Sequence, residues 1–211
     1  MNRQYQSTAS VCFGALLISA ALSVGVVADT ISYEVTGVVS GRLGALDFTA
    51  EPITFTTIAD TGNVRSINAG PVVVWENIGA TTVTISGIGS ARLVGDNFGA
   101  YAEDLSLVYT PGVAAGGIAD LTQLHGIFSV YNSAFVTYET GSPLSKVSGV
   151  ATTFDTSGTY QTSLGELLIS DAIGDATFTA ELVSVPEPLY CGVFAGTALL
   201  GVGIFLRLRR S

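Results

Sequence analysis

The stretch Ile31-Ser-Tyr-Glu-Val-Thr-Gly-Val-Val39 decides the fold class. Residues 31, 33, 35, 37 and 39 are apolar or small and alternate with Ser32, Glu34, Thr36 and Val38. A period of two sends successive side chains to opposite faces of an extended chain, so one face can pack while the other stays wet. The rhythm returns where Val83 and Ile85 alternate with Thr82, Thr84 and Ser86, and where Ala176, Phe178, Ala180 and Leu182 alternate with Thr177, Thr179 and Glu181. These are half-buried strands with a threonine-rich outer face, and little of the chain between residues 29 and 184 has a period of 3.6.

Turn chemistry punctuates the pattern at Ser40-Gly-Arg-Leu-Gly44, Asp60-Thr-Gly-Asn63, Gly87-Ile-Gly89, Gly95-Asp-Asn97, Gly116-Gly117, Asp155-Thr-Ser-Gly158 and Gly174-Asp175. The expected strands are 31–39, 45–49, 52–58, 71–75, 81–87, 90–94, 105–109, 127–131, 134–138, 146–154, 166–171 and 175–183. Ala100-Tyr-Ala-Glu-Asp104 reads as a short helical turn and Pro111–Gly117 as an exposed loop. The expected fold is all-β, a single antiparallel, jelly-roll-like β-sandwich over residues 29–184. Its first and last strands, the most regular ones, are expected to lie near one another.

Both ends of the chain differ from this middle. Met1–Ser10 is polar with Arg3 as its only basic residue, Val11–Val27 is apolar, and Val26-Val-Ala28 before Asp29 places small residues where a signal peptidase reads them. Residues 1–28 are therefore expected to be a signal peptide handled by the Sec machinery and cut between Ala28 and Asp29. The apolar run is slightly long, which leaves an uncleaved signal anchor as the alternative. At the other end, residues 185–211 hold Pro186-Glu187-Pro188, an uncharged apolar run from Leu189 to Leu206, and a basic tail with Arg207, Arg209 and Arg210. Prolines disfavour helix before and at the triplet. Eighteen residues at about 1.5 Å each give roughly 27 Å, near the hydrocarbon thickness of a bilayer, and the arginines hold the cytoplasmic side.

This motif, span and basic end, in that order, resemble the PEP-CTERM sorting signal. The resemblance covers the tail alone and rests on Pro186, Glu187, Pro188, residues 189–206 and the basic stop Arg207, Arg209 and Arg210. It implies recognition by an exosortase-like membrane protease, anchoring in the inner membrane of a Gram-negative-type bacterium before processing, and a final place on the cell surface or in an exopolysaccharide matrix. Composition around Ile31–Asp60 and Thr81–Gly89 is also similar to the Thr/Gly-rich ectodomains that precede such tails, which carries no activity with it.

The ectodomain holds four basic residues, Arg42, Arg65, Arg92 and Lys146, against sixteen carboxylates, a net charge of −12. So acidic a surface repels nucleic acid and anionic lipid, and no nucleic-acid partner is expected. The two cysteines, Cys12 and Cys191, fall in the expected leader and span, so the ectodomain has no disulfide and relies on its core.

Catalytic and metal-binding residue sets are sparse. His125, the one histidine, sits in apolar Leu121-Thr-Gln-Leu-His-Gly-Ile-Phe128 with no Gly-x-Ser-x-Gly elbow anywhere, so it reads as a core-edge residue and no catalytic residue is assigned. One histidine and no ectodomain thiol cannot build a zinc centre. Calcium needs only oxygens, and Asp60–Asn63, Asp96-Asn97 with Glu103-Asp104, and Asp155–Gly158 could supply them, but none has EF-hand spacing and turns use the same residues. No metal or cofactor is therefore expected. Trp75, Tyr101, Tyr109, Tyr131 and Tyr138 could stack on sugar rings if they formed an exposed stripe, and Trp75 after Val72-Val-Val74 reads as core or core-edge. The leading expectation is a non-enzymatic, structural or adhesive surface or matrix protein. A module binding exopolysaccharide is the alternative, and a paired-carboxylate hydrolase is a distant third.

Overall fold

A computed structural model describes residues 29–69, 72–106, 112–122, 125–153, 156 and 158–183. The expected signal peptide, with Ala28, lies outside them, as do Pro186–Pro188, the 189–206 span and Arg207, Arg209 and Arg210. No helix among the described residues is long and apolar enough to cross a membrane.

β1 (Thr30–Leu43) follows the alternation read from its sequence: Ile31, Tyr33 and Val35 are fully buried, while Glu34 is exposed. The chain continues through β2 (Leu46–Ala69), β3 (Val72–Ile85), β4 (Gly89–Arg92), β5 (Phe98–Asp104), β6 (Ala114–Asp120), β7 (His125–Tyr131), a short 3-10 helix (Ser133–Thr137), β8 (Leu144–Thr152), β9 (Thr159–Thr162) and β10 (Gly165–Val183). All the strand pairings are antiparallel, in the order β1-β2-β3-β5-β6-β7-β8-β10, and β10 returns to β1. The sheet thus closes into an eight-strand barrel, with β4 added to β3 and β9 to β10.

The all-β, antiparallel expectation holds, and so does the neighbouring of first and last strands. The division into two facing sheets gives way to one closed sheet. Alternation and turn spacing are the same in a sandwich and a barrel; what separates them is whether the two outermost strands find each other. Here they pair from Thr30↔Val183 to Leu43↔Leu167, with register shifts between Thr36 and Val38 and between Ser40 and Gly41.

Several expected turns are irregularities inside long strands. The strands expected at 45–49 and 52–58 are one strand running to Ala69, and Asp60–Asn63 marks a register shift against β3 between Ala59 and Val64. Gly174, at a φ of 71°, likewise kinks β10 where two strands were expected. Bulges and turns draw on the same Gly, Asp and Asn residues, so composition cannot separate them. Gly87–Gly89 and Gly95–Asn97 do form the expected links between β3, β4 and β5.

The middle of the chain departs furthest. Ala100–Asp104 belongs to β5 and is no helical turn, and Gly116-Gly117 lies inside buried β6 where a loop was expected. A Cβ at Gly116 would fall 2.3 Å from the Phe135 ring, so glycine there admits a close approach. Residues 134–138, expected as a strand, fall on the 3-10 helix Ser133–Thr137 and its C-cap Tyr138; the Asn132 side chain caps the start by accepting from the Ala134 N–H at 2.8 Å. That helix drops Phe135 into the barrel.

Phe178 of β10 is the centre of the interior. Its ring meets Phe135 at 5.2 Å and 86°, Tyr138 at 6.0 Å and Tyr33 at 6.1 Å. Two inward polar contacts cross the interior, Thr57 with Thr81 at 2.8 Å and Asn77 Nδ2 donating to the Tyr33 hydroxyl at 2.8 Å, while Asn77 Oδ1 has no partner among the described residues. Apolar side chains inside and Thr, Ser and Glu outside are the reverse of a membrane-spanning barrel. Phe178→Ala is expected to lower the unfolding free energy by about 3–5 kcal/mol, and Leu182→Ala, half exposed on the same strand, by less than about 1 kcal/mol. Urea titrations of the two variants measure this.

Candidate functional site

Over β3, β5, β6 and β7 the outward face of the wall is also buried. Register lines up one row across five strands: Arg65, Glu76, Tyr101, Gly117 and Ser129 are successive cross-strand partners. The adjacent row is Ile67, Val74, Glu103, Ala115 and Tyr131. Val74, Tyr101, Ala119 and Leu121 form a second apolar cluster on this face, apart from the main core.

Glu76 has no exposed surface, and its Oε2 accepts from Arg65 Nε at 2.8 Å while the arginine remains 49% exposed. Its Oε1 has no partner among the described residues. Burial pushes the Glu76 carboxyl above its ordinary value, and the hydrogen bond and charge of Arg65 pull the other way. Tyr101 crosses the side-chain-free surface of Gly117 to bond Ser129 on the next strand but one. Burial raises the Tyr101 phenol well above its usual range, with the Glu103 charge adding to it. That phenol stays protonated, so it cannot serve Ser129 as a base.

Glu103 sits half-buried beside Val74 and Ala115, and burial pushes its carboxyl up to about 7. Its row ends on Tyr131, which also lines a cleft of about 250 Å³ with Gly112, Val113, Ala114, Asn132 and Ser133. Asn132 spends its amide locally, donating to the Ser148 carbonyl at 2.8 Å and capping the 3-10 helix. The cleft is smaller than a typical ligand pocket.

The residues singled out from sequence are scattered. Trp75 is half-buried and faces the interior side of β3 beside Ala102, whereas Tyr131 faces outward. Tyr101 and Tyr138 are buried, and Tyr109 lies outside the described residues. An exposed aromatic stripe is thus not assembled among the described residues. His125 opens β7 opposite Asp120. Asp60 and Asp104 accept from the Gly62 and Ser106 N–H groups at 2.6 and 2.9 Å, as turn residues do. Asp96-Asn97 and Glu103-Asp104 stand at opposite ends of β5, roughly 20 Å apart along the strand, and Asp155 lies outside the described residues. Among the described residues no three His, Cys, Asp or Glu side chains gather as metal ligands.

The polar row is what sequence reading missed. Its one visible signal was Glu76, a carboxylate directly after the apolar run Val72–Trp75. Compared with family models, with curated proteins and with solved structures, the chain finds no match.

Glu103 makes stability depend on pH. Its ordinary value is 4.5 and its folded value about 7, so between these the unfolded chain has lost a proton that the folded chain keeps. Stability from this group is complete below about pH 4.5, falls as pH rises, and levels off above about 7. Glu103→Gln is expected to remove that slope, leaving stability near pH 4 unchanged and adding about 1–3 kcal/mol at pH 8. Unfolding curves at pH 4, 6 and 8 test this; an unchanged slope would remove Glu103 as its source.

Proposed function

We infer that this chain is exported cargo: a non-enzymatic surface or matrix protein with a structural or adhesive role, delivered by an exosortase-like sorting system. The observation that carries the reading is the pairing of Thr30 with Val183. The segments expected to be leader and sorting signal join the barrel through these two neighbouring residues. Asp29 is exposed and immediately precedes β1, so a cut between Ala28 and Asp29 removes the leader without touching a strand. On the other side only Ser184 and Val185 separate β10 from Pro186. Both cuts therefore spare a wall that closes on itself, and the signal peptide and the 189–206 membrane helix act as removable handles.

The acidic outer surface suits dispersal in water or a hydrated matrix and repels anionic lipid. No aromatic platform of the kind a sugar-binding module uses is present among the described residues, which weighs toward the structural reading.

Replacing Pro186 and Pro188 by alanine, or deleting the processing enzyme, is expected to leave the chain in the membrane fraction with its tail attached. Fractionation with mass spectrometry of both termini reads this. An unchanged C-terminus and location would refute the sorting half, and a mature N-terminus at Met1 would refute leader cleavage.

A further inference from the structure

Residues 138–143, between the 3-10 helix and β8, form a strap at the end of the barrel where β1 begins. Gly141, at a φ of 109°, packs so closely that a Cβ there would strike the Val64 side chain, with the Thr61 carbonyl oxygen as the next neighbour. Thr61 N–H in turn donates to the Asp29 carbonyl at 2.9 Å, just before β1. Val64 is the cross-strand partner of Asn77. The Gly141 backbone also bonds to the hydroxyl of Tyr33, and Asn77 Nδ2 donates to that same hydroxyl at 2.8 Å. Strap, Tyr33 and Asn77 therefore meet at one point inside the wall. Tyr138 closes the strap on itself, its hydroxyl donating to the Ser142 carbonyl at 2.9 Å while its ring packs on Phe178.

Polar groups at that point outnumber their partners. Tyr33 and Asn77 have no exposed surface, and Thr140, next to Gly141, is 2% exposed. Asn77 Oδ1 and Thr140 Oγ1 have no hydrogen-bond partner among the described residues. The Tyr33 hydroxyl is the acceptor in its bond with Asn77, so its own hydrogen is left to be donated. An acceptor, a donor and a second hydroxyl thus converge out of reach of bulk water, where unpaired polar groups are costly. The mixture selects what can complete them. An anion would face Asn77 Oδ1 and a cation the Tyr33 O–H, each a group of the wrong polarity, and an apolar molecule would leave all three unpaired. A small neutral molecule that both donates and accepts fits.

We propose that this point is a binding site for one water molecule, which accepts from the Tyr33 hydroxyl, donates to Asn77 Oδ1 and bonds Thr140 Oγ1, and so holds the 138–143 strap on the barrel wall. Three partners are the usual number for a buried water. The site goes beyond the sorting reading and does not depend on it.

Oxygen-17 magnetic relaxation dispersion on the full chain in detergent tests this. It counts waters held longer than the protein tumbles and, because it reads oxygen, ignores exchanging hydroxyl protons. Thr140→Val removes one hydroxyl and Tyr33→Phe the other, each with little change of shape; Thr140→Ser keeps its hydroxyl, and Ser142→Ala alters an exposed side chain of the same strap. Wild type, Thr140→Ser and Ser142→Ala are expected to exceed Thr140→Val and Tyr33→Phe by the signal of one water. Gly141 amide exchange is expected to quicken about tenfold in Thr140→Val and to stay unchanged in Ser142→Ala. Wild-type signal retained in Thr140→Val or Tyr33→Phe would overturn the proposal. An equal loss in Thr140→Ser or Ser142→Ala would also overturn it, since loosened packing of the strap would then account for the change.

Discussion

The pairing of β1 with β10 is the constraint on which the rest of the structure depends. A sheet of this length left open would present two rows of unpaired backbone groups, a liability for a domain with no cysteine between residues 29 and 184 to staple it. Closure removes them and encloses the inward-facing side chains of the whole circuit around one interior. It also joins residues 124 to 153 positions apart, from Leu43↔Leu167 to Thr30↔Val183, so the barrel cannot complete until β10 is available. Phe178 lies on that last strand and organises the aromatic contacts with Tyr33, Phe135 and Tyr138, so the closing strand delivers the central piece of the core.

Closure also sets the geometry of the ends. Because the first and last strands are neighbours and antiparallel, Thr30 and Val183 lie together at one end of the barrel and the Gly44 and Gly165 turns stand at the other. The barrel has a direction: an end where β1 begins and β10 finishes, and an opposite end closed by the Gly44 and Gly165 turns.

The buried outward face over β5 and β6 has a different physical origin. Gly99 and Gly117 flank Tyr101 in the register, and without side chains there the ring can lie against the sheet and reach Ser129. Leu121 covers Gly99 from the β6–β7 link. Once this face is dry, Glu76 needs Arg65 and Glu103 holds its proton more tightly, because burial disfavours the charged form of each. The perturbed carboxyls are consequences of packing on the outside of the wall.

How much was legible follows from the range of each interaction. Alternation from Ile31 to Val39 and from Ala176 to Leu182 determined strands and their buried faces, since side-chain direction in an extended chain depends only on position parity. Sequence alone also determined the acidic balance and the absence of cysteine between residues 29 and 184, and the order of Pro186-Glu187-Pro188, apolar run and arginines, which are properties of composition and order. It could not separate a bulge at Asp60–Asn63 from a turn, or a glycine pair inside β6 from a loop, because those residues serve both purposes. Barrel closure and the row from Arg65 to Ser129 were decided by tertiary structure. Each depends on which strand lies beside which and in what register, and that is settled by contacts between residues far apart in the chain.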